Sequence, residues 1–169
     1  TSNMADHKLE ERIVKTCLER YNGNLAAILI FGSYNSGTFI KGISDLDLII
    51  LFKRKLDLKL QRERDILSHK EFSDIPAAIH YFGTIEDYKR YIYEESGWSH
   101  WITSTKGAKV IYSTKDFESF HNEIETKPIP IKEIIDYVLH KDKIELDGYF
   151  RKISGWDVSK AFFSHIRRK

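Results

Sequence analysis

The sequence has few residues of several types, and each shortage excludes a class of protein. It has one cysteine, Cys17, in 169 residues, so an internal disulfide is excluded and a reducing compartment such as the cytoplasm is expected. No apolar run reaches membrane-spanning length and no secretory signal opens the chain, so we expect no membrane partner. The chain is short, has a formal net charge of only +2 and shows no clear basic groove, which argues against a polymerase.

The rest of the composition is typical of a folded domain. Hydrophobic residues make up 41% of the chain, which is enough to build a core. We expect one domain over residues 4–126 and a C-terminal helical segment over residues 127–169, because the prolines of Lys127-Pro-Ile-Pro130 break the preceding helix. Thr1 to Asn3, before Met4, resemble a vector remnant and are left out of this expectation.

Hydrophobic periodicity predicts helices and strands over most of the chain. The predicted strands cover residues 25–31, 45–52, 76–82 and, at a sheet edge, 109–113. The predicted helices cover residues 6–21, 53–70, 84–96, 116–125, 131–150 and 157–169. The third of these helices is expected to begin with a variant capping box formed by Thr84 and Asp87.

Two aspartates, Asp45 and Asp47, stand at the start of the second predicted strand. Residues two apart on a strand point to the same face and lie roughly 6–7 Å apart. Because desolvating two like charges is costly, a cation is expected to offset their repulsion. Mg²⁺ suits this position, since it binds a few carboxylates together with waters and substrate phosphates.

The pair Gly32-Ser33 directly follows the first predicted strand. A glycine lets a phosphate approach backbone N–H groups, and the serine hydroxyl adds a donor. A helix that begins at Ser33 or Tyr34 would further favour an anion. Gly-Ser alone is a common turn and Asp-x-Asp alone is usually a solvated strand end, but together they predict a site for a nucleoside triphosphate with Mg²⁺.

From Ile28 to Leu51 the sequence resembles the core motif of the DNA polymerase β-like nucleotidyltransferase superfamily, especially its minimal and antibiotic nucleotidyltransferases. The shared pattern is an apolar residue, Gly, Gly or Ser, a gap, and then Asp-apolar-Asp-apolar. The resemblance implies an α+β fold in which a small mixed β-sheet has helices packed on one side, followed here by the C-terminal helical extension. It also implies transfer of a nucleoside monophosphate from an NTP to an acceptor hydroxyl, with Mg²⁺ or Mn²⁺ as cofactor.

The resemblance assigns roles to five residues of this motif. Gly32 and Ser33 would hold the triphosphate, and Asp45 and Asp47 would ligate the metal. Ser44 matches a serine that often precedes the first acid, and it is expected to belong to the nucleotide site.

The chain departs from the family pattern just after the Gly-Ser pair. Many small members carry arginines there, whereas this chain has Tyr34 and Ser36. We therefore expect either weaker phosphate binding or a contribution from the nearby cation Lys41.

A second departure concerns the third carboxylate, which the family usually carries on the next core strand. The corresponding predicted strand has no Asp or Glu, and His80 takes the inward position, flanked on its face by Ala78 and Phe82. His80 could be a general base for the acceptor hydroxyl, or simply a hydrogen-bonded residue of a half-buried strand. Glu71 and Asp74, just before the strand, are the other candidates for the missing acid.

Three functions therefore remain open at the sequence level. The chain could modify a small hydroxyl compound, or a protein hydroxyl in a pair with a helical toxin partner. It could also be a catalytically impaired, nucleotide-binding relative that acts as a regulatory or antitoxin-like module. In each case the C-terminal helices would form a wall of the acceptor cleft or a homodimer surface.

Overall fold

The computed structural model describes residues 4–40, 43–57, 59–95 and 105–128, together with 131–132, 135 and 139–140. The strands are β1 (Leu25–Phe31), β2 (Leu46–Phe52), β3 (Ala77–Thr84) and β4 (Lys109–Ser113). The helices are α1 (Met4–Tyr21), α2 (Ser33–Ser36), α3 (Leu60–Ile66), α4 (Ile85–Arg90) and α5 (Lys115–Thr126). Helices α3 and α4 each continue as a short π-helix, over Leu67–Glu71 and Tyr91–Glu95.

The four strands form one mixed sheet in the order β3-β2-β1-β4. Strand β1 is antiparallel to both β2 and β4, whereas β2 and β3 are parallel and are connected through α3. This arrangement confirms the expected α+β class with a small mixed sheet. The prediction of an edge strand at residues 109–113 is confirmed, because β4 pairs with β1 at one end of the sheet.

Helices cover both faces of the sheet. On one face, which we call the α1 face, α1 and the segment after α3 bury the side chains of Ile13, Cys17, Tyr21, Leu67 and Phe72. On the other, which we call the α5 face, α4 and α5 bury Tyr88, Ile92, Phe117, Phe120 and Ile124. The family resemblance implied helices on one side of the sheet only, and this expectation was wrong. The central strands are apolar at successive positions, so each of their faces needs a cover.

The segment after β2 is held by Asn24 and does not form a helix. The Asn24 side chain accepts a hydrogen bond from the Arg54 N–H and donates one to the Arg54 carbonyl, while the Lys53 N–H donates to the Asn24 carbonyl. The predicted helix over residues 53–70 is therefore wrong at its start, where Lys53 and Arg54 are bonded to Asn24 instead. The observed helix begins only at Leu60.

The capping box and the remaining helices follow the prediction where they are described. The Thr84 hydroxyl accepts a hydrogen bond from the Asp87 N–H at 3.1 Å, and α4 begins directly after it. The predicted helices over 131–150 and 157–169 lie largely outside the described residues, and the division of the chain at 126/127 stays a prediction. Within the part of the chain that is described, no helix is both long and apolar enough to cross a bilayer.

Candidate active site

The turn between β1 and α2 lies directly against Asp47. Gly32 has a φ of 74°, in the left-handed region that favours glycine, and Phe31 before it pairs with Asp47 across the β1–β2 ladder. A Cβ atom on Gly32 would overlap the Oδ2 atom of Asp47. Glycine is therefore required both by the backbone conformation and by the approach of the carboxylate.

A single closed helical turn follows Gly32. Helix α2 begins at Ser33, as predicted, and the N–H groups of Gly37 and Thr38 both donate to the Ser33 carbonyl. Gly37 ends the helix with a φ of 78°. The two glycines thus mark the limits of a compact segment, and the first of them adjoins the Asp47 carboxylate.

The two acids occupy the end of the sheet that the turn also reaches. Asp45 is exposed and directly precedes β2, whereas Asp47 lies within β2 and is half-buried on the α5 face. The Ser44 hydroxyl accepts a hydrogen bond from the Ile40 N–H at 3.0 Å, so Ser44 closes the loop that leads to the acids. Lys41 lies outside the described residues.

His80 reaches Asp47 from the neighbouring strand. Its Nε2 atom lies 2.6 Å from Asp47 Oδ1, and its ring packs edge-on against Phe31 with 5.2 Å between centroids. Because a carboxylate accepts hydrogen bonds and does not donate them, Nε2 is the nitrogen that carries hydrogen in this pair. Asp47 therefore contacts the turn through one oxygen and the imidazole through the other.

A β-bulge in β3 provides this placement of His80. Leu48 pairs with Ile79 and Ile49 pairs with Tyr81, so His80 is an extra residue between the two pairs. Bulges change the direction of a side chain and are common beside active sites. Phe82 was expected beside His80, but the bulge shifts the alternation by one residue, and Phe82 packs on the α1 face against Phe52.

Arg64 of α3 supports the bulge from the α1 face. Its guanidinium donates a hydrogen bond to the Ile79 carbonyl, next to His80. The contact of Arg64 was not predictable from the sequence, because nothing in the local pattern shows a bulge or the carbonyl that the arginine reaches. Arg64 thus belongs to the structure that holds His80 in place.

The other two candidate acids form ion pairs with α1. Asp74 accepts two hydrogen bonds from the Arg12 guanidinium, at 2.6 and 2.7 Å, and these bonds lower the pKa of Asp74. Glu71 lies 3.6 Å from the Arg20 guanidinium. Among the described residues, no group of three His, Cys, Asp or Glu side chains is placed to hold a metal ion, so a third carboxylate ligand was not found there.

Comparison with known proteins gives the class of this chain. The family described as the nucleotidyltransferase domain matches residues 10–168, and the chain belongs to that family. Among curated proteins, none matches the chain.

Two solved structures of toxin–antitoxin proteins are similar to the chain. One is a crystal structure of a toxin–antitoxin with AMP-PNP; it is 19% identical, with a TM-score of 0.44, and the match covers 83% of this chain and 98% of that one. The other is a mutant of the toxin–antitoxin MntA-HpeT; it is 19% identical, with a TM-score of 0.43, and the match covers 83% of this chain and 97% of that one.

Proposed function

We propose that this chain is a Mg²⁺-dependent nucleotidyltransferase that moves a nucleoside monophosphate from an NTP to an acceptor hydroxyl. The observation that carries the proposal is the contact between the Gly32 turn and the Asp47 carboxylate. It puts backbone N–H groups that can bind phosphate beside a carboxylate that can bind a metal. Membership of the nucleotidyltransferase family supports the same chemistry.

The triphosphate would be held by the turn. The N–H groups at Gly32 and Ser33, with the Ser33 hydroxyl, would be the donors, because glycine has no side chain of its own to keep a phosphate from the backbone. Lys41 would add a positive charge. Ser44 would contribute by fixing the loop through its bond with Ile40.

Asp45 and Asp47 would hold the metal ion, Mg²⁺ or Mn²⁺. The donor set fits, because Asp45 is exposed, Asp47 is half-buried at the same end of the sheet, and Mg²⁺ accepts one or two carboxylates with waters and substrate phosphates as its other ligands. When bound, the ion would neutralise negative charge on the phosphate oxygens.

In the transfer step, the acceptor hydroxyl oxygen forms a bond to the α-phosphorus. The bond from that phosphorus to the bridging oxygen breaks, and pyrophosphate leaves with the electron pair. The hydroxyl proton must go to a base, and we assign this role to His80. Asp47 accepts the hydrogen bond from Nε2–H, so Nδ1 is the basic nitrogen, and the carboxylate would stabilise the imidazolium that forms.

The bond between His80 and Asp47 also favours a second candidate function. One oxygen of Asp47, a proposed metal ligand, is hydrogen-bonded to the His80 imidazole. His80 also lies on the strand where the family usually carries a third carboxylate, and an imidazole is a poorer ligand for Mg²⁺ than a carboxylate. In this alternative the chain binds a nucleotide without transferring it, and acts as a regulatory or antitoxin-like module for a protein partner.

Incubation with α-labelled NTPs and Mg²⁺ tests both functions. The acceptors would be an aminoglycoside, a lincosamide, and protein that co-purifies with the chain. Asp47→Asn should abolish label transfer, whereas the matched control Asp74→Asn, which removes an acid paired with Arg12, should not. Label on a protein would identify a protein hydroxyl as the acceptor.

Calorimetry with each NTP separates the two candidates. Mg²⁺-dependent binding without transfer to any of these acceptors favours the regulatory module. If no NTP binds in the presence of Mg²⁺, both candidates are wrong.

A further inference from the structure

A buried carboxylate lies behind the Gly32 turn, on the α1 face of the sheet. Glu10 of α1 is only 7% exposed and follows the same helical stripe as the buried residues Ile13, Cys17 and Tyr21. An apolar residue would be typical at such a position. A charged group stays there only if partners replace the water that it has lost.

Glu10 has two such partners, and both belong to segments that flank the turn. Its Oε1 atom accepts a hydrogen bond from the Tyr34 hydroxyl at 2.9 Å and lies 2.5 Å from the Lys109 ammonium. Tyr34 directly follows Ser33, and Lys109 begins β4. Desolvation and the bond to Glu10 both raise the pKa of Tyr34, so its hydroxyl stays protonated and available as a donor.

Further contacts hold the rest of α2. The Asn35 side chain donates to the Gly107 carbonyl, and the Tyr34 ring packs edge-on against Phe39 with 5.5 Å between centroids. Together with the bonds to the Ser33 carbonyl, these contacts attach the short helix to α1 and to the segment before β4. The turn is therefore held by contacts on both of its sides.

We propose that Glu10 is a positioning residue of the nucleotide site, which fixes the Gly32–Ser33 turn through the Tyr34 hydroxyl. Lys109 balances the charge of the buried carboxylate. The proposal rests on the proposed function, because it concerns the same phosphate-binding turn. A turn held by such contacts should lose less conformational entropy when the triphosphate binds, so the hydrogen bond to Glu10 would contribute to affinity without touching the ligand.

The test compares Tyr34→Phe with Tyr93→Phe, which removes the same kind of bond elsewhere. The Tyr93 hydroxyl donates to Glu123 Oε1 at 2.8 Å, between the π-helix after α4 and α5. Only Tyr34→Phe should speed hydrogen exchange at the Gly37 and Thr38 amides, whose bonds to the Ser33 carbonyl close α2. It should also weaken ATP binding with Mg²⁺ roughly tenfold, about 1.4 kcal/mol, while Tyr93→Phe leaves ATP binding unchanged.

Each outcome supports or overturns either the positioning role of Glu10 or the proposed function on which that role rests. Unchanged exchange at Gly37 and Thr38 in Tyr34→Phe overturns the positioning role, and so does faster exchange with unchanged ATP affinity. If the wild-type chain binds none of the NTPs with Mg²⁺, the proposed function fails, while the exchange comparison still shows whether Glu10 fixes the turn. Glu10→Gln should change amide exchange and ATP affinity in the same direction as Tyr34→Phe. If Glu10→Gln does not fold, the result for Tyr34→Phe alone tests the proposal.

Discussion

The Oδ2 atom of Asp47 fills the space that a side chain on Gly32 would need. The other carboxylate oxygen lies 2.6 Å from His80 Nε2. One half-buried acid thus connects the proposed phosphate-binding turn with the proposed base. Substitutions of the residues around Asp47 should therefore separate nucleotide binding from transfer.

Gly32→Ala should abolish the site, and Gly23→Ala provides a matched control. Both glycines have a φ near 75°, but a Cβ on Gly23 would have nothing within 4 Å, whereas a Cβ on Gly32 would displace the Asp47 carboxylate. Each substitution should cost about 1 kcal/mol or more in backbone strain, measured by urea unfolding. Only Gly32→Ala should also lose Mg²⁺-dependent ATP binding in calorimetry. Equal ATP affinity in the two variants would contradict the proposed contact between turn and acid.

His80→Gln should slow transfer while ATP still binds. General-base catalysis typically contributes about 10²–10⁴-fold, so the rate of label transfer should fall by that order. His69→Gln is a suitable control, because His69 is exposed on the π-helical turn after α3. A His80→Gln variant that transfers label at the wild-type rate would exclude His80 as the base.

Arg64→Met should loosen the bulge that holds His80. The variant keeps much of the side-chain length but leaves the Ile79 carbonyl without the guanidinium donor. The free energy of unfolding should fall by about 1–3 kcal/mol, the usual cost of an unpaired buried polar group. In Arg64→Met the ring signals of His80 in NMR spectra should shift. The control is Arg62→Met, at an exposed position of the same helix, in which these signals should not shift. Unchanged His80 signals in Arg64→Met would show that the bulge does not depend on the arginine.

Cys17 should report the unfolding of the core beneath α1. The residue is fully buried, and burial raises the pKa of its thiol to about 12, so the unreactive thiol form is present at pH 8. An aromatic disulfide reagent should leave the native chain unmodified at that pH and react fully in urea. Rapid labelling of the native chain would mean that α1 opens readily.

Much of the fold could be predicted from the sequence, because apolar runs and turn residues are local signals. The ranges of β1 and β4 match the prediction, and Thr84 caps α4 as its spacing suggested. The resemblance implied helices on one side only, although the continuous apolar run with Ile49 and Leu51 is typical of a strand that is buried on both faces, as the structure shows. The start of α3 was missed because the bonds from Asn24 to Arg54 connect distant parts of the chain.

The candidate site was predictable only where its residues form a local motif. Gly32-Ser33 and Asp45-Leu-Asp47 are recognisable because each motif is short and adjoins an apolar strand. The bulge at His80 has no such signature, since it depends on how β3 pairs with β2. The contacts of Glu10 were equally hidden, because its partners lie on α2 and β4.

The contact between Glu10 and Lys109 joins residues 99 positions apart in the chain. Contacts of such long range form late, because the intervening loop must close before they can stabilise anything. On a ribosome, the segment behind the turn therefore cannot be completed until β4 has emerged from the exit tunnel. A nascent chain that already contains both aspartates would still lack the contact between Glu10 and Lys109, so its proposed phosphate-binding turn would not yet be fully held.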